Sequence, residues 1–461
     1  MANSTSTAQQ ELPAELQSFL AGSPRPEFAE AYVVDINGIM RGKRLPIGSL
    51  AKIYRNALCL PASTFLLDVQ GDEVEGTGMV LETGDGDHYC HPVPGSLRPL
   101  PWSRRPGGQL FMQMFTPQGD PFAADSRTVL SRVLQRLQRR GLTPVVATEL
   151  EFRLFEAEPD GRGIPRPAAQ SVVRGWGSQL YGLDELNRLD DLLADIEQAC
   201  ADQHLPFDTL IAEQGDGQYE INLEHVPDVL LAADQALLLK RTIKACAEQH
   251  GLCASFMAKP YGDSAGNGLH VHASLLDEQG NNVLVSDGQP SQTMLQAVAG
   301  LIATMSDATA IFAPHANSYR RFQLGSYAPM YGNWGIDNRT TALRLPLSEP
   351  IATRIEHRVA GADANPYLVL AAILAGIDYG MENALTPPPE THGDAYAQAE
   401  HAITLPDGWG SALTQFENSA FINEYFGSDY QHWFSCCKRQ EREKLRALVP
   451  AAEYEFYLST V

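Results

Sequence analysis

Several features that would assign the chain to a familiar class are missing from it. Its longest apolar run, Tyr367 to Ile377, is too short to span a bilayer and follows the helix-starting pair Asn365-Pro366, so it predicts a buried helix. The N-terminus has neither a basic start nor an apolar segment, which predicts a cytoplasmic protein without a secretory signal. The sequence has no G-x-x-x-x-G-K-[ST] loop and no G-x-G-x-x-G after a strand, so any nucleotide must be held by metal ions and arginines.

Cysteine and positive charge are also scarce. The seven cysteines are odd in number and lack the spacing of zinc ligands, which fits a reducing compartment. Only 34 lysines and arginines stand against 56 acidic residues, and the net charge of −22 argues against nucleic acid or an anionic membrane as a partner. The same charge would attract a cationic small molecule. With 461 residues, the chain is long enough for more than one domain.

The sequence does contain a loop rich in glycine that leads into a strand with alternating polar residues. The predicted strand is Leu269 to Leu275, and His270, His272 and Ser274 share one of its faces. Glycines before a strand let backbone N–H groups approach an anion closely, and imidazoles two residues apart can bind a metal or a phosphate oxygen. Taken alone, the pattern fits equally well two histidines on the solvated face of an antiparallel strand.

Three other segments carry metal-binding or anion-binding side chains at the same i, i+2 spacing. They contain Glu149, Glu151 and Arg153; Gln218, Glu220 and Asn222; and Arg354, Glu356 and Arg358. If the four strands lie in one sheet, its polar face offers oxygen and nitrogen ligands for divalent cations, with arginines for phosphate or carboxylate groups. The alternative is four unrelated amphipathic strands with charged exteriors. The shared period and chemistry favour the single sheet.

The order of the segments predicts an α+β protein. Residues 1–28 predict a polar tail with one short helix, and Asn37-Gly38 predicts a hairpin between two strands. Residues 63–101 are rich in Gly, Asp and Pro and predict a loop-like region, and a boundary is expected in the turn near residue 118. Helices are expected over 126–140 with Asp125 or Ser126 as cap, and over 184–202, 228–249, 290–312, 365–383 and 438–448. The absence of a regular strand–helix alternation argues against a doubly wound fold.

Motifs spread over residues 32–457 resemble the glutamine synthetase family. They are Glu149-Leu-Glu151-Phe, Glu213 with Gly217-Gln218-Tyr219-Glu220, Lys259-Pro260 with Gly266-Asn-Gly268-Leu-His270-Val-His272-Ala-Ser274, Asn317-Ser318-Tyr319-Arg320-Arg321, Asn338-Arg339 with Arg344, Arg354-Ile-Glu356-His-Arg358, and Ala364-Asn365-Pro366-Tyr367. The resemblance implies an N-terminal β-grasp domain at 29–117 and a catalytic domain with an antiparallel sheet and flanking helices at 118–461. It also implies hexameric rings, single or paired into a dodecamer, with active sites at subunit boundaries.

The resemblance further implies a role for each matching residue. The ligands of one Mg²⁺ or Mn²⁺ ion would be Glu151, Glu213 and Glu220, and those of the second would be Glu149, His270 and Glu356. Glutamate would be held by Gly266, Arg321 and Arg358, with His270 and Tyr327 also facing the substrates, and ATP would be surrounded by His272, Ser274, Arg344 and Arg354. Arg339 corresponds to the arginine that steadies the transferred phosphate, and Asp68 to an aspartate, donated by the neighbouring subunit, that attracts the amine. Making an amide from a carboxylate requires a leaving group, so ATP phosphorylates glutamate before an amine displaces phosphate.

The chain departs from the family pattern at two positions that concern the substrates. Tyr327 stands where the glutamine-forming members have a glutamate that takes a proton from ammonium, and Ala265 replaces an asparagine that helps hold glutamate. The motif whose tyrosine is adenylylated in the regulated bacterial enzymes has no counterpart. Trp334 resembles the γ-glutamylpolyamine synthetase branch.

The sequence therefore predicts an ATP-dependent ligase that joins the γ-carboxylate of glutamate to an organic amine through γ-glutamyl phosphate. A polyamine such as putrescine is the favoured acceptor. Three alternatives stay open. They are a glutamine synthetase, because Asp68 could deprotonate ammonium unaided; a γ-glutamyl-monoamine ligase; and a non-catalytic relative that keeps the fold for assembly or sensing.

Overall fold

The structure is a computed structural model that describes residues 12–161, 163–168, 179–401 and 403–461. The strands in this part of the chain are β1 Phe28–Val34, β2 Met40–Pro46, β3 Leu58–Pro61, β4 Asp87–Pro92, β5 Arg98–Pro99, β6 Gly107–Phe115, β7 Thr143–Glu156, β8 Phe207–Ala212, β9 Gln218–Leu223, β10 Leu252–Ser255, β11 Leu269–Leu276, β12 Val285–Ser286, β13 Gln289–Pro290, β14 Tyr331–Gly332, β15 Trp334–Ile336, β16 Leu343–Leu345, β17 Ile355–His357 and β18 Ile403–Thr404. The helices are α1 Ala14–Leu20, α2 Leu50–Asn56, α3 Ser126–Arg139, α4 Leu183–Asn187, α5 Asp190–Asp202, α6 Val229–Gln249, α7 Gln292–Phe312, α8 Pro366–Glu382, α9 Trp409–Asn418, α10 Ala420–Phe426, α11 Ser428–Arg446 and α12 Ala451–Tyr457.

The first sheet is built from β1 to β6 in the order β2-β1-β6-β4-β3, with β5 also pairing with β6. The predicted hairpin is confirmed: β1 and β2 are antiparallel, and the Asp35 carboxylate accepts the N–H groups of Asn37 and Ile39 to close the turn. The loop-like prediction for residues 63–101 is wrong at Asp87–Pro92, because β4 pairs along its length with β3 and β6 and buries Cys90.

The second sheet has the order β15-β16-β17-β11-β7-β9-β8, with β10 pairing with β7. The four segments with polar i, i+2 spacing are β7, β9, β11 and β17 with their flanking residues, and they are neighbours in this sheet, as predicted. The register pairs His270 with Glu149, His272 with Glu356, and Glu151 with Glu220, so the polar residues collect on one face. The opposite face is apolar and buried, which fixes the register because a slip of one residue would reverse both faces.

Helix α6 packs against β7 and β10 of this sheet, and α8 packs against both α6 and α7. Helix α7 is long and apolar enough to cross a membrane, but most of it is buried inside the protein. A Cβ atom on Gly300 of α7 would lie within 2.1 Å of the Gly376 carbonyl oxygen of α8, so the two helix backbones are in direct contact. This close packing identifies α7 as a core helix. The Asn365 side chain caps α8 and the Asp125 side chain caps α3, as the sequence predicts.

Two helix predictions need correction. The helix expected over 184–202 is broken, because Leu189 has non-helical dihedral angles and separates α4 from α5. The helix expected at 438–448 begins ten residues earlier, at Ser428, because residues such as Tyr430 and Phe434 pack into the core and extend its apolar face. The predicted tail at 1–11 lies outside the described residues.

Candidate active site

Glu149 lies at the centre of a buried polar cluster on the second sheet. The imidazole of His272 donates from Nε2 to Glu149 Oε1 at 2.7 Å, because its Nδ1 accepts a hydrogen bond from Arg354 Nε at 3.1 Å. His270 donates from Nδ1 to Glu149 Oε2 at 3.0 Å, which leaves Nε2 as the nitrogen that can bind a metal. Burial opposes ionisation of Glu149, but the two histidines hold its pKa well below the usual value.

The cluster contains two groups of three residues whose possible ligand atoms all lie within 4.8 Å of one another. Glu149, His270 and Glu356 form the first group and are the set predicted for the second metal ion. The other group contains Glu151 and Glu220 from the set predicted for the first ion, but with His270 as its third member. Glu213, the remaining predicted ligand, follows β8, where burial and the charges of the nearby Glu151 and Glu149 raise its pKa.

The donor set fits a hard divalent cation. Carboxylate oxygens with a single imidazole are the ligands that Mg²⁺ and Mn²⁺ accept in proteins. Burial, together with repulsion from Glu149, Glu151 and Glu213, raises the pKa of Glu220 to about 9. Burial, together with repulsion from Glu151 and Glu149, raises the pKa of Glu213 to about 7. Divalent cations would neutralise this accumulated negative charge, so the geometry and electrostatics both suit metal binding.

Arginines border the cluster on the side of β16 and β17. Arg344 donates from Nη1 to Glu356 Oε2 at 2.8 Å, and Arg358 forms a direct ion pair with Glu356 Oε1. Burial disfavours the Glu356 carboxylate, but Arg358, with help from the nearby histidines, lowers its pKa to about 2. Arg339 is exposed, and its charge partly offsets the upward shift in the pKa of Glu213. Ser274 lies on the same strand as His272 and donates to the Thr353 carbonyl oxygen at 2.9 Å.

The glycine-rich loop before β11 brings a backbone N–H group and Arg321 against the cluster. The N–H of Gly268 donates to Glu151 Oε2 at 2.7 Å, so the anion that it approaches is a carboxylate of the protein itself. A Cβ atom on Gly266 would lie 2.8 Å from Cγ of Arg321, so only glycine allows this approach. Arg321 is buried and donates to the Val359 carbonyl oxygen at 2.7 Å.

Comparison with known proteins identifies the family. Residues 123–457 match the family described as glutamine synthetase, catalytic domain. The chain belongs to the glutamine synthetase family. The predictions of this family and of a carbon–nitrogen ligase are therefore confirmed.

Individual relatives cover nearly the whole chain. It is 40% identical over 447 residues to the γ-glutamylputrescine synthetase PuuA of Escherichia coli (strain K12), covering 96% of this chain and 94% of that protein. It is 32% identical over 427 residues to the γ-glutamylethanolamide synthetase GlnA4 of Streptomyces coelicolor, covering 90% and 89%. Among solved structures, a GmaS/ADP complex superimposes with a TM-score of 0.82 at 29% identity, covering 94% of this chain and 97% of that one.

Two residues of this glutamine synthetase relative, Arg153 and Gln218, connect the glycine-rich loop to the carboxylates. Gln218 donates from Nε2 to the Gly266 carbonyl oxygen at 2.8 Å and to Glu151 Oε2 at 3.3 Å. Arg153 is fully buried and donates to the Ala265 carbonyl oxygen at 2.6 Å. The i, i+2 pattern placed both residues on the polar face, but it gave no indication that they hold a loop more than 40 residues away in sequence.

Tyr327 lies in a loop that a distant tyrosine supports. Its side chain is 55% exposed and its φ of 56° is in the left-handed region, where non-glycine residues are strained. Tyr396 donates from its hydroxyl to the carbonyl oxygen of Ala328 at 3.1 Å. Asn338 Nδ2, next to Arg339, donates to the Gly393 carbonyl oxygen at 2.8 Å. Residues 391–396 therefore hold both the Tyr327 loop and the Arg339 segment, a contact for which the sequence offers no signal.

The hydrogen-bond partners of Asp68 belong to its own loop and to helix α11, not to the carboxylate cluster. Asp68 is buried and accepts hydrogen bonds from the N–H groups of Gln70 and Asp72, from Gln440, and from Lys444. Burial opposes its ionisation, but the Lys444 contact and these hydrogen bonds hold its pKa below the usual value. Its predicted role at the site of a neighbouring subunit remains a prediction.

Proposed function

We propose that the chain is an ATP-dependent ligase that joins the γ-carboxylate of glutamate to an organic amine, with a polyamine such as putrescine as the preferred acceptor. The observation that carries the proposal is the intact cluster of metal-type ligands around Glu149, and the sequence adds a neutral tyrosine, Tyr327, at the position where the resemblance implies a glutamate in the glutamine-forming members. The likeness to a γ-glutamylputrescine synthetase at 40% identity supports the same reading.

The proposed cofactors are Mg²⁺ or Mn²⁺ ions bound with ATP. Glu151, Glu213 and Glu220 would hold one ion, and Glu149, His270 and Glu356 the other. The ions would supply positive charge that neutralises the phosphate oxygens of ATP during phosphoryl transfer. The hydrogen bonds that His270 and His272 donate to Glu149 keep both imidazoles oriented, so little reorganisation is needed when substrates bind.

The arginines and the glycine-rich loop would position the two substrates. Arg321, Arg358 and Gly266 are proposed to hold glutamate, and His272, Ser274, Arg344 and Arg354 to surround ATP, with Arg339 on the transferred phosphoryl group. Arg344 is already oriented by Glu356 and Asp337, so its guanidinium is fixed before ATP arrives. The resulting γ-glutamyl phosphate would then lose phosphate to the attacking amine.

Subunit assembly completes the proposed site. We take residues 29–117 as a β-grasp domain and residues 118–461 as the catalytic domain of a hexameric ring or a double-ring dodecamer. Asp68 of the partner subunit would attract the cationic amine and accept the proton that it must lose before it can attack. A separate glutamate for this purpose is absent, because Tyr327 occupies its position.

The alternatives differ in the acceptor or in the presence of activity. A γ-glutamyl-monoamine ligase is favoured by the likeness to a γ-glutamylethanolamide synthetase. A glutamine synthetase would use ammonium, and a non-catalytic relative would use no acceptor. Phosphate release with glutamate and ATP should be measured for ammonium, ethanolamine, isopropylamine and putrescine, with each γ-glutamyl product identified by mass spectrometry. We expect putrescine to give the highest kcat/KM, and a better monoamine would replace the polyamine assignment.

Asp68→Asn should raise the KM for the amine or lower kcat by about tenfold, because the loss of one ion pair is worth roughly 1.4 kcal/mol. The KM values for glutamate and ATP should change less than twofold. Asp72→Asn is the matched control, because Asp72 also contacts Lys444 but is exposed. Equal effects of the two variants, or an equal loss of ATP affinity, would show that Asp68 stabilises its own loop and does not bind the amine.

Tyr396→Phe should raise the KM for the amine about fivefold, because one hydrogen bond to the Tyr327 loop is lost at a cost of about 1 kcal/mol. The KM for ATP should stay unchanged. Steady-state kinetics with putrescine tests this, with Tyr331→Phe as a control on the neighbouring strand β14. If the amine KM is unaltered, Tyr396 does not position Tyr327.

A further inference from the structure

A large cavity lies between the hairpin of β1 and β2, helix α6 and residues 255–257. Its volume is about 630 Å³, within the range of small-molecule sites. Its wall includes Tyr32, Met40, Leu237 and Phe256, so part of it is apolar. None of the predicted site residues lines it, so the cavity is separate from the carboxylate cluster.

Positive charge is concentrated in this cavity. The chain has only seven lysines, and three of them, Lys43, Lys240 and Lys244, line it together with Arg44 and Arg241. Neither of its two carboxylates forms an ion pair with Lys240 or Lys244, although the charge of Asp363 acts on Lys240. Glu30 binds Arg44 and Arg241, and Asp363 accepts a hydrogen bond from Ser318 at 2.6 Å. An excess of cations in a protein with a net charge of −22 favours an anionic ligand.

Two of the lysines lack a carboxylate partner among the described residues. Lys240 donates to the Ala364 carbonyl oxygen at 3.1 Å, and desolvation lowers its pKa to about 7. Desolvation also lowers the pKa of Lys244. The two ammonium groups lie 5.4 and 5.7 Å from the centre of the Phe256 ring, so both flank one aromatic wall.

We infer that this cavity binds a small organic anion, whose carboxylate or phosphate group contacts Lys240 and Lys244 and whose carbon skeleton packs against Phe256 and Met40. Lysines bind such groups as point charges, and the nearby apolar wall would exclude water from the contact. The ligand would supply the negative charge that no ion pair gives Lys240 or Lys244 among the described residues. The chemical class is therefore a dicarboxylate or a phosphorylated metabolite of moderate size.

The cavity wall is connected to the loop that carries Asp68. Val69 lines the cavity, and its N–H donates to Glu441 Oε1 at 3.0 Å. His315 also lines the cavity and lies 3.4 Å from Glu441 Oε2. An anion bound here would restrict the loop through these contacts and change the affinity for the amine, as an effector does. This regulatory consequence rests on the proposed function, whereas the binding itself does not.

The test measures binding by isothermal titration of the full-length protein with inorganic phosphate, succinate and glycerol 3-phosphate, with glycerol as the neutral control. The wild-type protein is expected to bind at least one anion at a site that the Lys240→Gln/Lys244→Gln variant weakens at least tenfold. Lys52→Gln, on α2, should bind like the wild type, and Lys240→Arg should retain binding because it keeps the charge. Comparison of succinate with the two phosphates identifies the class of anion. Basal kcat without anion should stay within twofold in all these variants.

Three outcomes would overturn the inference. Equal binding by the wild type and the double variant would place the anion elsewhere. No binding by the wild type, with a changed oligomeric state of the double variant in sedimentation, would show that a second subunit fills the cavity. No binding without such a change would leave the lysines with a structural role. If the double variant unfolds, Lys244→Gln alone, at an exposed position, decides between these outcomes.

Discussion

Glu220→Gln is expected to lower kcat by about a thousandfold or more, the largest loss among the single substitutions considered. The change removes one negative charge at nearly constant shape, and a thousandfold loss corresponds to about 4 kcal/mol of transition-state stabilisation. Glu220 is buried and pairs with Glu151 on the neighbouring strand. Because the position is closed to solvent, no other carboxylate can take the place of the one that the substitution removes. We expect the loss at saturating Mg²⁺ with glutamate, ATP and putrescine.

Glu224→Gln is the matched control, because Glu224 lies four residues further along the chain and is exposed. It should keep kcat within twofold of the wild type. Without metal, the Glu220→Gln protein should be at least as stable as the wild type, because the substitution removes a carboxylate that its neighbours repel. Mg²⁺ should raise the melting temperature of the variant less than that of the wild type. Turnover of Glu220→Gln within tenfold of the wild type at saturating Mg²⁺ would refute the metal assignment.

The alternation of polar and apolar residues was enough to predict the central sheet and much of the candidate site. Glu149, His270 and Glu356 lie on three neighbouring strands, and their period of two fixes which face each side chain occupies. Burial of the opposite face then fixes the register, which brings the three side chains together. Local capping residues likewise predicted where α3 and α8 begin, because a cap needs only its own helix.

Contacts between distant segments could not be predicted from the same pattern. Tyr396 reaches the loop of Tyr327 across 68 residues of sequence, and its identity carries no periodic signal. Arg153 appeared as one more polar residue of β7, although it is fully buried and holds the loop at Ala265. The role of Asp68 depends on a second subunit, so neither the sequence pattern nor the fold of one chain determines it.

Ammonium is expected to be a poor substrate, with a kcat/KM at least about a hundredfold below that of the best organic amine. Tyr327 presents a large apolar ring with one hydroxyl group, so it can line the path of a methylene chain but supplies no charge to gather ammonium. A hundredfold preference corresponds to roughly 2.7 kcal/mol, which a few buried methylene groups and one ion pair can supply. Competition between ammonium and putrescine, followed by mass spectrometry of the two products, measures the ratio directly.

Tyr327→Glu should shift this ratio toward ammonium, because it restores a carboxylate that can attract the cation and accept its proton. Tyr327→Phe is the control, since it keeps the apolar ring and should keep the preference for the organic amine. Both variants retain a non-glycine residue at the same positive φ, so they bear similar backbone strain and differ mainly in charge. If the unmutated enzyme makes glutamine from ammonium as efficiently as it uses any amine tested, the glutamate–amine ligase assignment is wrong. The glutamine synthetase alternative would then take its place, with Asp68 as the sole carboxylate that serves ammonium.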